Sequence, residues 1–105
     1  MNDPSVSDAF QSFLDECPRH AAAWVQAVEQ LATATALDEK TRALAYLAVL
    51  AALRLESGVP FHVAHAKRAG ATREEVLGAV LIGLPAAGNG VIASLPAALR
   101  AYDSV

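Results

Sequence analysis

Residues 43–53 read ALAYLAVLAAL, and the hydroxyl of Tyr46 is the only polar side-chain group among them. Alanine and leucine favour helices and an alanine-rich run makes a poor strand, so this stretch predicts a helix from about Asp38 to Glu56. An internal strand is the alternative. A helix that is apolar on every side is buried on every side. We therefore expect neighbouring helices, together with other copies of the chain, to cover it.

The residues before this run predict two further helices. Apolar residues recur at helical spacing from Ser5 to Glu16, which predicts the first. Pro18 suits the first turn of the second, which should extend to about Ala32.

The residues after the run predict the remaining helices. Pro60 can begin a helix that ends at Gly70, and Thr72 with Glu75 forms a capping-box pattern that begins the next one. Pro96 should kink or split the last helix, because proline lacks the N–H that the helix ladder needs. The fold class is therefore all-α, with about six helices in a single domain of residues 1–105.

Composition excludes several classes of protein. Hydrophobic residues make up 54% of the 105 residues and charged residues 18%, unlike a disordered segment. The longest apolar run is shorter than the roughly 20 residues of a membrane span, and no secretory signal is visible, so we expect a cytoplasmic protein that does not enter a membrane. A net charge of −3 without a basic patch argues against nucleic-acid binding. The single cysteine, Cys17, can form no internal disulfide.

Chain length and apolar content together indicate self-association. A chain of this size buries only about 60–70% of the surface that its unfolded form exposes. With half of its residues apolar, some apolar surface should stay exposed in a monomer, so we expect a homo-oligomer.

His62 and His65 are the candidate functional side chains that stand out, because their spacing places them on one face of a helix. A metal site would need a further ligand, such as Glu56 or His20. Two histidines alone are weak evidence, and no cofactor-binding motif is present, so we expect neither a metal nor a cofactor. The alternative to a metal site is a structural role, in which one histidine is hydrogen-bonded in the core or an interface and the other is solvated.

Several features in register resemble the carboxymuconolactone decarboxylase and alkylhydroperoxidase D-like family. They are LDEKTR at 37–42, the apolar helix, His62 two turns before Gly70, the Gly-Ala-Thr-x-x-Glu pattern at 70–75, and GLPAAGN at 83–89. The resemblance implies an all-α fold assembled as a homotrimer or homohexamer.

The alkylhydroperoxidase D-like branch carries a Cys-x-x-Cys-x-x-x-His motif, and its histidine corresponds to His62. Leu55 and Gly58 then occupy the two cysteine positions, and Ala43 occupies that of the proton-relay glutamate. Neither leucine nor glycine supplies the thiolate that peroxide reduction needs. Unless Cys17 substitutes from elsewhere, thiol peroxidase activity is not expected.

The decarboxylase branch implies chemistry on a small lactone or carboxylated ring compound. In this chain His62 could shuttle a proton, with Glu56 as the nearest acid, which makes these two the candidate catalytic residues. Asn89 stands where that branch has a second histidine and could hydrogen-bond a carbonyl or carboxylate; with His65 it forms the candidate substrate-binding set. The alternative is a non-catalytic oligomeric binding or scaffold protein with the family fold.

Overall fold

The computed structural model describes residues 3–105, which form helices joined by turns, without a β-strand in that range. The all-α prediction is confirmed. The helices are α1 (Asp8–Glu16), α2 (Pro18–Ala34), α3 (Glu39–Ala52), α4 (Val59–Arg68), α5 (Arg73–Leu81), the one-turn α6 (Leu84–Ala87) and α7 (Leu95–Ser104), with 3-10 helices at Glu56–Gly58 and Asn89–Ser94. The backbone divides into two compact units, one ending at Asp38 and one beginning at Glu39. The single domain therefore stays a prediction.

The first unit contains α1 and α2. The Ser7 hydroxyl caps α1 by accepting a hydrogen bond from the backbone N–H of Phe10, at 3.2 Å. Cys17 ends α1, and Pro18 occupies the first turn of α2, as its missing N–H allows. Across residues 3–105 no helix has both the length and the apolar content that crossing a bilayer requires.

The second unit is built around α3. Ala43, Leu47, Leu50 and Ala51 are buried, and Leu47 is fully inaccessible to solvent. In the single chain α3 is not buried on every side, because its opposite face carries Tyr46 and Val49 with about half of each exposed. The helices that pack against α3, among them α4, α5 and the two 3-10 helices, leave this face uncovered, so its covering by other copies stays a prediction.

The end of α3 explains why the predicted helix stops before Glu56. The N–H of Leu55 bonds the carbonyl of Leu50 at 2.9 Å, and the N–H of Arg54 bonds that of Ala51 at 3.2 Å. These two bonds form a Schellman motif, in which Arg54 takes the left-handed position at φ 61°. Glycine usually fills this position. Because Arg54 fills it here, the sequence carries no glycine that would predict the end of the helix.

The core of the second unit combines the buried face of α3 with apolar residues from the elements around it. Its further members are Val59, Val63, Ala66, Ala71, Val76, Val80, Val91 and Ala98. Two polar side chains, Tyr102 and Lys67, hold α7 beside α4 and the turn that follows it. The Tyr102 hydroxyl donates to the carbonyl of Ala71 at 2.9 Å, and the Lys67 ammonium donates to the carbonyls of Tyr102 and Val105 at 2.8 and 2.5 Å. The Lys67 ammonium also lies 4.4 Å from the centre of the Tyr102 ring.

The predicted capping box at the start of α5 is confirmed. The Thr72 hydroxyl accepts from the N–H of Glu75, whose carboxylate accepts in return from the N–H of Thr72. Pro96 splits the C-terminal stretch rather than kinking a helix. A 3-10 helix ends at Ser94, and Pro96 lies in the first turn of α7, where no N–H is needed.

Candidate functional site

His62 lies on α4 with its ring between two aromatic side chains. The centre of the Tyr46 ring on α3 is 4.4 Å from that of His62, with 37° between the planes. The adjacent Phe61 ring meets His62 edge-on at 5.2 Å. Tyr46 and Phe61 are themselves 46% and 38% exposed, so the imidazole is partly buried at the edge of an apolar surface.

This surrounding favours the neutral form of the imidazole. Burial lowers the pKa of His62 below its ordinary value, and the nearby His65 lowers it further. Both causes disfavour the charged form of His62, because burial removes water from the ring and a protonated His65 would place a second positive charge near it. The neutral imidazole that these effects favour can accept a proton.

His65 faces a carboxylate, unlike His62. Its Nε2 atom lies 3.9 Å from Oε1 of Glu39 at the start of α3, and about a third of the His65 side chain is exposed. The two histidines thus share a face of α4, as their spacing predicted, but they have different neighbours.

Glu56, the predicted acid partner of His62, is bound elsewhere. Its Oε1 accepts from Nε of Arg54 at 3.2 Å. A hydrogen bond from its own backbone N–H, and then the Arg54 bond, lower the pKa of Glu56 and keep it ionised at neutral pH. A carboxylate in this state makes a poor proton donor, and no hydrogen bond or ion pair joins it to His62 in the described part of the chain.

Asn89 is exposed at the start of the second 3-10 helix and directly precedes Gly90. Arg54 lies against the backbone of Gly90, where an added Cβ would be 3.2 Å from Nη1 of Arg54. The structure thus brings Glu56 and the segment containing Asn89 to Arg54, whereas His62 lies against Tyr46 and Phe61.

The cysteine positions of the peroxidase motif hold no nucleophile. Leu55 is half exposed. A Cβ added at Gly58 would lie 3.4 Å from the side chain of Leu50, at ordinary van der Waals distance. Cys17 is exposed in the first unit, where it lines an open groove with neighbours that include Glu16 and His20. Within residues 3–105, no three His, Cys, Asp or Glu side chains are grouped closely enough to hold a metal ion.

Sequence reasoning missed Tyr46, Phe61 and Arg54 as neighbours of the candidate residues. Tyr46 carried a signal, since it is the one polar side chain in the apolar run. Phe61 and Arg54 carried none, because an aromatic residue before His62 and a basic residue after an apolar helix are ordinary features of a sequence.

Comparison with known proteins bears on the helices from α2 onward. A model of the carboxymuconolactone decarboxylase family matches residues 18–101, which is most of the chain. Neither a search of curated proteins nor a search of solved structures gave a match. The matched segment includes His62 and all the helices of the second unit up to the middle of α7. The chain therefore belongs to the carboxymuconolactone decarboxylase family.

Proposed function

We propose that this chain is a self-associating binding or scaffold protein that keeps the family fold without the family's chemistry. The observation that carries the proposal is the arrangement around His62. Its ring lies against Tyr46 and Phe61, while the nearest candidate acid in sequence, Glu56, is held by Arg54. Acid–base catalysis needs a donor and an acceptor within reach of one substrate, and this arrangement favours packing instead.

The surface that would join the copies runs along α3. Tyr46, Val49 and Leu53 lie at helical spacing and are 46%, 52% and 62% exposed; we call them the α3 stripe. The stripe is apolar on every copy, so a second copy matches it through a two-fold arrangement in which each stripe covers the other. Of the homotrimer and the homohexamer that the family resemblance implies, this proposal takes the homohexamer, because a hexamer of paired trimers contains two-fold contacts and a homotrimer contains none. A cytoplasmic location is also part of it, because the one cysteine can form no internal disulfide.

Sedimentation velocity of the wild type and of Val49→Glu tests the self-association. We expect the wild type to be an oligomer. In the variant, association should be weaker by at least about tenfold, because a buried, unpaired carboxylate opposes the contact. Val105→Glu is the matched control, since Val105 follows α7, outside the stripe, and is 62% exposed. A wild type that is monomeric at all concentrations would contradict the proposal.

A second candidate function is lyase activity on a small lactone or a carboxylated ring compound, with His62 as the acid–base residue. The lowered pKa of His62 favours it, because a neutral imidazole can remove a proton at neutral pH. The test compares wild type with His62→Ala on a panel of such compounds. Turnover by the wild type that His62→Ala abolishes would support the lyase, and no turnover of any compound would support the scaffold.

Thiol peroxidase activity is not part of the proposal, because Leu55 and Gly58 replace the cysteines. We expect no peroxide consumption by the wild type with a dithiol reductant. Consumption that disappears in Cys17→Ser would instead assign the reaction to the exposed thiol of Cys17.

A further inference from the structure

The two rings that contact His62 belong to the apolar surface around the α3 stripe. Tyr46 is a member of the stripe, and Phe61 is 38% exposed beside it. The imidazole is consequently shielded on the sides that face these rings, and His62 keeps part of its surface exposed. A partner seated on the stripe would remove much of the water that remains.

We propose that the charge on His62 controls self-association: copies stay together while the imidazole is neutral and separate when acid protonates it. This inference rests on the self-association proposed above and adds its regulation. It needs no ligand, because the proton itself acts as the effector.

The physical basis is the cost of placing a charge in a contact between apolar surfaces. An imidazolium covered by a second copy loses water and gains no counter-ion from the side chains that touch it. The face of the Tyr46 ring attracts a cation, which works in the opposite direction by about 0.5–1 kcal/mol at an exposed site. Burial already lowers the pKa of His62 in the single chain, so desolvation acts against that attraction.

The charged groups on the surrounding elements do not supply the missing counter-ion. His65 on α4 adds a like charge when protonated, and its own carboxylate partner is Glu39. On α3, Arg42 precedes Tyr46 by one turn and is also basic. Three acids on the other elements packed around α4 are paired with other groups: Glu56 with Arg54, Glu75 on α5 with Lys40, and Asp103 on α7 with Arg73. Glu74, in the first turn of α5, is exposed to solvent.

The sign of the pH dependence follows from linkage. Because the covered state disfavours protonation, its His62 pKa is lower than that of the separated chain, and the separated chain binds more protons as the pH falls. Association is therefore strongest above the His62 pKa of the separated chain, and it weakens as the pH falls below that value. At low pH, each pKa unit by which assembly lowers the pKa of one His62 weakens association by up to tenfold.

Sedimentation velocity at about pH 7.5 and about pH 5 tests this, because the lower value lies well below the ordinary histidine pKa, as the lowered pKa of His62 requires. We expect wild-type association to weaken at least about tenfold at the lower pH. His62→Gln, which keeps a planar polar side chain that cannot be protonated, should associate equally at both. His20→Gln is the matched control, since His20 is exposed on α2, and it should respond as the wild type does.

The outcomes separate the two proposals. A wild type that is monomeric at both values contradicts the self-association and this inference together. An oligomer whose association is the same at both, or a His62→Gln variant that responds fully to pH, overturns only this inference. If His62→Gln does not fold, titration of the wild-type imidazole protons by NMR replaces it. The pKa of His62 must then be lower in concentrated, assembled protein than in dilute protein, and equal values overturn the inference.

Discussion

The ring of Tyr46 on α3 packs against the imidazole of His62 on α4, with 4.4 Å between their centres. One side chain from the exposed face of α3 therefore sets the surroundings of the one histidine that the family resemblance singles out. The contact also joins two features that look separate in the sequence, the apolar run and the histidine-bearing helix. The protonation of His62 therefore depends on a side chain of α3 as well as on its neighbours in α4.

Replacement of Tyr46 by alanine should raise the pKa of His62 toward its ordinary value, because water then reaches the ring. NMR titration of the imidazole protons measures the change. Tyr46→Phe keeps the ring and should leave the pKa of His62 nearly unchanged. If attraction between the tyrosine face and the imidazolium dominated instead, Tyr46→Ala would lower the pKa further, which would contradict the desolvation argument.

Leu47→Ala should lower the free energy of unfolding by about 2–5 kcal/mol, because Leu47 is fully buried in the core of the second unit and its loss leaves a cavity. Urea denaturation followed by circular dichroism measures this. Leu31→Ala is the matched control, since Leu31 on α2 is 68% exposed and its truncation should cost about 0.5 kcal/mol or less. Equal effects of the two substitutions would mean that α3 is not the centre of the core.

Glu75→Gln should remove part of the loss of stability in acid. The backbone N–H of Thr72, and then Lys40, lower the pKa of Glu75 below its ordinary value of 4.5. A carboxyl with a depressed pKa in the folded state stabilises the protein above its unfolded pKa, and this contribution is lost as the pH falls through the folded value.

Thermal unfolding between about pH 6 and about pH 3 covers that interval. Wild type should lose more stability over it than Glu75→Gln. Glu74→Gln alters the neighbouring residue of the same turn, which is not part of the capping box, and should behave as the wild type. A Glu75→Gln profile parallel to the wild-type profile would show that the capping box does not contribute through this charge.

Arg54→Gly should relieve backbone strain at the end of α3. A non-glycine residue in the left-handed region costs about 1–2 kcal/mol, and the exposed ion pair with Glu56 is worth about 0–1 kcal/mol. Arg54→Ala loses the ion pair while keeping the strain. Chemical denaturation should therefore show the glycine variant about 1 kcal/mol more stable than the alanine variant. A glycine variant no more stable than the alanine variant would rule out strain at this position.

The sequence predicted the helices better than their surroundings. Residues 43–53 identified α3, and Thr72 with Glu75 identified the start of α5, because helix formation and capping depend on residues close in the chain. The end of α3 was missed because Arg54 adopts the conformation usual for glycine. The site was predicted only in part. Nearness in sequence suggested Glu56 for His62, whereas the turn after α3 gives that carboxylate to Arg54.

The contacts of Lys67 have a practical consequence for chemical labelling. The chain has two lysines, Lys40 and Lys67, and the ammonium of Lys67 is held by two carbonyls at the end of α7 and by the Tyr102 ring. Acylation requires the free amine, so reagents that target amines should modify Lys40 before Lys67, since a single exposed carboxylate holds Lys40. A fluorophore or cross-linker attached at limiting reagent would consequently mark the α3–α5 side of the second unit and leave the α4–α7 contact intact.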